Sequence, residues 1–167
     1  MVTRSKILDG VGISQKINRL AWQIYEENSQ EKEIVIIGIC GRGEVLASAL
    51  SSVILQISAL TVKLGTIYID KDNPYQGEAK LDLDVSNYTN KVIILVDDVL
   101  NSGKTLMYAS KYFLTTPLIK LSTVVLVNRT HNRFPVKADY IGLSLATTLQ
   151  EYITVVLDPK REGVYLS

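Results

Sequence analysis

Val92 to Val96 form an unbroken run of valine, isoleucine and leucine. A strand wetted on one face alternates apolar and polar side chains. A run without alternation belongs to a strand covered on both faces, as in a parallel sheet layered between helices. The run stops at two adjacent carboxylates, Asp97 and Asp98. In sheets of that kind the ligand crevice lies beyond the carboxyl ends of the strands, which is where these acids fall. Neighbouring carboxylates are costly to bury unpaired. They become useful where a diol donates hydrogen bonds to them or a divalent cation meets them, and their charge suits a centre that turns cationic during a reaction.

Asn101, Ser102, Gly103, Lys104 and Thr105 follow as a small polar loop. Gly103 removes a side chain where backbone must approach a ligand. Ser102 and Thr105 add hydroxyls, and the loop amides would open a helix over Thr105–Leu114 whose N-terminus attracts phosphate. Gly-Lys-Thr also ends an ATP-binding P-loop. That motif needs a glycine five positions before Gly103, and residue 98 is aspartate. The competing reading is a buried strand followed by a capped turn.

A second loop, Gly38-Ile39-Cys40-Gly41-Arg42-Gly43, also follows an apolar run (Ile34–Ile39) and precedes a helical stretch (Gly43–Ile57). Its glycines free the backbone to present amides, and Arg42 adds a fixed cationic fork for phosphate oxygens. Two such loops at neighbouring strand ends suit a ligand with phosphates at both ends; 5-phosphoribosyl pyrophosphate (PRPP) fits that description. Alone, the second loop reads equally as a tight strand-to-helix turn. A third region runs from Asn128 and Arg129, just past a strand over Leu121–Val127, to Tyr140, Ile141 and Gly142. Tyr140 offers an aromatic face and the Ile141 backbone a donor and an acceptor for a flat heterocycle. The alternative is a surface loop and an edge strand whose tyrosine packs in a small core.

At 167 residues, with 47% hydrophobic and 21% charged residues, the chain suits one globular domain. A net charge of +1 gives no overall bias toward nucleic acid. The single cysteine, Cys40, excludes an internal disulfide and reads as a small core residue. The first residues lack a signal-type apolar segment, and no stretch is long enough to span a bilayer, so a cytoplasmic protein without membrane attachment is expected. Ile13, Ile17, Leu20, Ala21 and Ile24 mark an amphipathic helix over Ile13–Glu27, and Leu60–Ile69 reads as a strand. Residues 70–90 are polar and long for a loop, which signals a functional flap or local disorder. Alternating strands and helices imply a doubly wound, mainly parallel α/β sheet. Lys71 and Lys80 on the flap read as solvated lysines within reach of a closed site. His131, the only histidine, has no second metal ligand beside it. Trp22 reads as packing surface at the core or at a subunit contact.

The acids with their loop resemble the PRPP signature of the type I phosphoribosyltransferases. Lys6-Ile-Leu-Asp9, Gly38-Ile39 with Arg42-Gly43, Val96-Asp-Asp-Val-Leu100 with Ser102-Gly103, Asn128-Arg129 with His131, and Pro135–Gly142 are similar to the PyrR type. Those proteins are bifunctional pyrimidine-operon attenuators and uracil phosphoribosyltransferases. The resemblance implies one domain over 1–167 with a five-stranded parallel sheet, a small hood from about 1–10 and 128–167, and a flexible flap at 70–90. It implies that Asp97 and Asp98 hold the ribose hydroxyls and help place Mg²⁺. Asn101, Ser102, Gly103, Lys104 and Thr105 would take the 5-phosphate. Cys40, Gly41, Arg42 and Gly43 would take pyrophosphate, with a non-proline cis peptide near Gly41–Arg42. Tyr140 and Ile141 would stack on and read the base, with Asn128 and Arg129 nearby. Partners would be PRPP, a nucleobase, a second or further copies in a homodimer or homotetramer, and, through the attenuator members, RNA. Asn101 stands where PyrR proteins carry Tyr and purine enzymes an acid; an amide cannot abstract a proton, so no general base is assigned. Asn128 replaces an Asp, and Leu143 and Ala146 replace the Lys and Pro of the usual hood. Uracil is the expected base. The alternatives are a purine base, or a nucleotide-binding regulator with weak catalysis.

Overall fold

The computed structural model describes residues 4–167. The chain runs β1 (Ser5–Asp9), α1 (Gly10–Glu27), β2 (Glu33–Ile39), α2 (Arg42–Ile57), β3 (Thr61–Tyr68) and β4 (Lys80–Leu81). A 3-10 turn (Val85–Asn87) leads to β5 (Val92–Leu100), α3 (Lys104–Phe113), β6 (Lys120–Asn128), β7 (Tyr140–Ser144), β8 (Ile153–Val156) and β9 (Gly163–Leu166). The main sheet has six strands in the order β4-β3-β2-β5-β6-β7. β3 through β7 are parallel, and the two-residue β4 adds an antiparallel edge. The parallel α/β expectation holds, with that short strand as the addition.

The missing alternation in β5 is explained by what covers it. Ile94 and Val96 meet α1 and α2 through Leu20, Ile24, Leu46 and Leu50. Ile93 and Leu95 meet α3 through Leu106, Ala109 and Phe113. Ile34 to Ile37 of β2 and Ile93 to Val96 of β5 are all 0% exposed, each aliphatic burial stabilising by about 1.5–3 kcal/mol. The apolar stripe of α1 lies on this core. Its start is fixed by Asp9, whose Oδ1 accepts the Gly12 amide at 2.8 Å.

β1, β9 and β8 form a separate antiparallel sheet. The segment 128–167, expected to act together as a hood, is therefore divided: β7 extends the main sheet beside β6, and only β8 and β9 join β1. Residues 1–3 of the expected hood lie outside the described residues. Three local differences follow. Helix α3 starts at Lys104, because Gly103 already caps it. Segment 70–90 contains β4 and the 3-10 turn, and its end is tied down by Tyr88, which is buried and meets Phe113 edge-on at 5.4 Å. No cis peptide occurs among the described residues, so the bond expected near Gly41–Arg42 is trans. There Gly41 turns the chain instead, with φ 90° and ψ −125°, a region open to glycine.

Candidate functional site

The order of the sheet creates the site. From β2 the chain moves outward to β3 on one side, and β5 pairs with β2 on the other. The loops after β2 and β5 therefore diverge and leave a crevice at their carboxyl ends. Register brings Gly38 opposite Val96, so the 40–43 loop sits next to Asp97. The approach is close: a Cβ on Gly43 would stand 2.7 Å from the Val96 carbonyl oxygen and 3.2 Å from Asp97 Cα. Only glycine lets α2 start this near the acids.

Asp97 and Asp98 are each 4% exposed. The Asp98 amide donates to Asp97 Oδ1 at 3.0 Å. Arg42 Nε donates to Asp98 Oδ2 at 2.7 Å. Lys71 Nζ donates to Asp97 Oδ1 at 3.0 Å and lies 4.0 Å from Asp98 Oδ1. Burial pushes the Asp97 carboxyl up to about 7, with the Asp98 charge adding to the rise and Lys71 offsetting part of it. The pair is thus an electrostatic hot point, held by cations from two loops.

Asn101 to Thr105 line a small polar cleft of about 50 Å³ that begins at Asp97. Gly103 takes φ 83° to open α3. Ser102 Oγ accepts the Lys104 amide at 3.2 Å, and the Ser102 carbonyl accepts the Arg133 and Phe134 amides at 2.8 and 3.0 Å. Lys104 Nζ donates to the Asp72 carbonyl at 2.9 Å, tying the cleft to segment 70–79. A larger cavity, about 710 Å³, lies elsewhere. It sits between segment 69–79 and α3, with Tyr75, Tyr88, Tyr108 and Tyr112 in its walls and neither acid. Asp97, Lys104 and the amides that open α3 converge on the smaller cleft instead.

The structure thus gathers Cys40, Gly41, Arg42 and Gly43 with Asp97, Asp98 and the 101–105 loop. The residues expected around a base are placed differently. Tyr140 pairs with Val124, well before the β6 end. Its ring is buried in the α1 side of the core, and its hydroxyl donates to Glu27 Oε2 at 2.7 Å. Burial and the Glu27 carboxylate push that phenol well above its ordinary range. The Ile141 carbonyl accepts from Arg19 at 3.1 Å. Arg129 turns toward residues 147–151, donating to Thr147 Oγ1 at 2.8 Å, to the Thr148 carbonyl at 3.0 Å and to the Glu151 carbonyl. Asn128 remains at the strand end, its Oδ1 accepting the Thr130 amide at 3.2 Å. His131 Nε2 contacts the Thr147 carbonyl at 2.7 Å, a structural link. Lys71 is the participant that sequence reasoning left as solvated. Its one available signal was its position just beyond the carboxyl end of β3.

Among the described residues no cluster of three or more His, Cys, Asp or Glu could cage a metal. A pair of carboxylates beside a polar cleft at a helix N-terminus fits Mg²⁺ nonetheless, since that ion binds through one or two carboxylates, waters and substrate phosphates. Among the described residues no helix is long and apolar enough to cross a membrane.

The family described as "Phosphoribosyl transferase domain" matches residues 3–160. A bifunctional protein PyrR of Fusobacterium nucleatum is 33% identical over 170 residues, covering 96% of each chain. One from Clostridium novyi is 34% identical over 172 residues, covering 94% of this chain and 92% of that one. Among solved structures, a hypoxanthine-guanine phosphoribosyltransferase of Bacillus anthracis has a TM-score of 0.76 at 21% identity over 98% of each chain. A hypoxanthine phosphoribosyltransferase of Trypanosoma cruzi has a TM-score of 0.78 at 17% identity, covering 97% of this chain and 95% of that one. Those likenesses share the fold, and together with the PyrR relatives and the acid-and-loop crevice they make this chain a member of the type I phosphoribosyltransferase family.

Proposed function

We propose that the protein transfers the 5-phosphoribosyl group of PRPP to a nucleobase, uracil first, and releases pyrophosphate. The observation that carries this reading is the meeting of a buried acid pair with two glycine-capped loops at one switch point. In it, Asp97 and Asp98 accept hydrogen bonds from the ribose hydroxyls. Asn101 to Thr105 seat the 5-phosphate on the α3 amides. Cys40 to Gly43 seat the diphosphate, with Arg42 on its oxygens. Asp97 and Asp98 would hold Mg²⁺, which when bound would supply charge to neutralise the leaving group. As the bond to pyrophosphate lengthens, the acids stabilise positive charge on the ribosyl carbon while a base nitrogen attacks. Segment 70–90 acts as a flap and the β1-β9-β8 sheet as part of a hood, together excluding water. Asn128 is the base-facing side chain, and Tyr140 and Arg129 are supports behind it. The reading is of a cytoplasmic homodimer or homotetramer, with the exposed apolar side chains of Trp22, Val45 and Leu55 available for subunit contact.

The test offers uracil, hypoxanthine, guanine, xanthine, adenine and orotate separately with Mg²⁺ and PRPP, and measures pyrophosphate release. Release with uracil is expected. Release with a purine moves the specificity, and silence with every base removes the enzyme. A second reading is favoured by Asn101, which lines the cleft without being able to take a proton. It is a regulator that binds PRPP or nucleotide without turnover and engages RNA; calorimetry with PRPP beside the turnover assay separates the two, and RNA binding would fall steeply with salt.

A further inference from the structure

Lys71 lies in the polar segment just beyond β3, where a lysine would ordinarily point into solvent. Its ammonium instead donates to Asp97 Oδ1 at 3.0 Å and stands 4.0 Å from Asp98 Oδ1, with the side chain 38% exposed. The backbone that presents it is held on both sides. Asp70 Oδ1 accepts the Asp72 and Asn73 amides at 2.9 and 3.1 Å, which turns the chain at Lys71. The Asp72 carbonyl accepts Lys104 Nζ from the phosphate loop at 2.9 Å. On the far side of the acids Arg42 Nε donates to Asp98 Oδ2 at 2.7 Å. Two carboxyl groups and two cations thus close into one set, at the place where a divalent cation or a diol would meet the acids.

We infer that Lys71 is the resident counter-ion of the acid pair and exchanges partners when the sugar donor binds. It yields the carboxylates to metal and ribose and moves onto the diphosphate oxygens. The first half of the exchange, competition with a cation for the acids, follows from the ion pairs alone. The second half rests on the function proposed above. An ammonium and a divalent ion cannot both sit against the same oxygens, because each disfavours the other by like charge. The liberated ammonium and guanidinium then face a ligand that brings its own negative charge. Since Lys71 is anchored to residues 70–73, segment 70–79 travels with it. Lys71 is therefore a positioning residue in the empty site and a binding residue in the filled one.

The test measures two affinities of the full-length protein by calorimetry: for Mn²⁺ alone, and for inorganic pyrophosphate with Mg²⁺. In Lys71→Met the Mn²⁺ affinity should rise and the pyrophosphate affinity fall, each on the order of tenfold. A side chain with a merely structural role would lower both. Unchanged Mn²⁺ affinity, or a fall in both, overturns the inference; unchanged pyrophosphate affinity overturns the exchange. Lys71→Arg keeps the cation and should bind Mn²⁺ as the natural chain does. Lys91→Met, which removes an ion pair with Glu33 at the other end of the sheet, should alter neither constant. The failure of the proposed function looks different: calorimetry with PRPP is then silent in the natural chain, while Mn²⁺ still binds more tightly to Lys71→Met. Turnover with uracil alongside an unmoved Mn²⁺ affinity is the converse, sinking the counter-ion and sparing the enzyme.

Discussion

The loop after β2 and the loop after β5 both turn on a glycine of positive φ, but they are supported in different ways. Each begins its helix on a glycine with positive φ, 90° at Gly41 and 83° at Gly103. Around Gly41 no atom lies within 4 Å of where a Cβ would stand, whereas a Cβ on Gly103 would meet Val136 Cγ1 at 2.5 Å. Residues 133–136 brace the second loop from behind: two of their amides donate to the Ser102 carbonyl, and Phe134 meets Tyr108 edge-on at 6.4 Å. The first loop is held at its two ends, where the Cys40 amide donates to the Ile67 carbonyl at 3.0 Å and Gly43 abuts the Val96 carbonyl, and nothing packs behind Gly41 between them. One loop is braced behind its glycine, and the other leaves open space behind its glycine and carries Arg42. Under the proposed function, the braced loop suits the phosphate that stays with the sugar, and the open-backed loop suits the group that leaves.

The contrast can be broken in four ways. The largest effect is expected from removing what both loops face. Asp97→Asn with Asp98→Asn should lower turnover by at least ~10³ while inorganic phosphate still binds the braced loop. Normal pyrophosphate release from that double variant would end the argument. Next, Gly103→Ala meets both the positive φ and Val136, and should cost about 3 kcal/mol, read as a melting temperature lower by about 6–10 °C. Gly41→Ala has open space, but φ 90° with ψ −125° lies outside the left-handed well that Gly103 occupies, so it should cost about 2 kcal/mol from backbone strain alone, or about 4–6 °C. Equal losses in the two alanine variants would erase the difference between the loops. The smallest effect concerns Asp97 by itself. Its carboxyl is raised from 3.8 to about 7 by burial and by Asp98. The stability linked to its protonated form is complete below about pH 4 and is lost as pH rises through about 7. Asp97→Asn should therefore melt about 2 °C higher than the natural chain at pH 8, with the gain gone at pH 4. A gain that grows toward acid would reverse the sign and disprove it.

Sequence periodicity disclosed β5, its acids and both glycine loops because each is governed by local rules. Burial on two faces erases alternation, and a glycine before a helix marks a sharp turn. Three features escaped it for nonlocal reasons. The strands β8 and β9 are four residues each, and what organises them is pairing with β1 from the opposite end of the sequence. The direction of Tyr140 is set by its register against Val124, which nothing in its neighbours encodes. Lys71 finds Asp97 across 26 positions, through a turn made by Asp70, in a segment whose composition suggested solvent. The family resemblance filled part of that gap by naming the loops that meet, but it did not disclose which cation rests on the acids.

The pairing of Ser5 with Leu166 has a practical corollary. Both ends of the described chain therefore emerge side by side. A short peptide could join them into a ring, and new termini could be cut at Gly77, an exposed glycine with φ 85°. Such a circular permutant would keep the parallel sheet whole and release the flap at one side, turning the connection between β3 and β5 into a pair of free tails whose ordering by ligand can be watched directly.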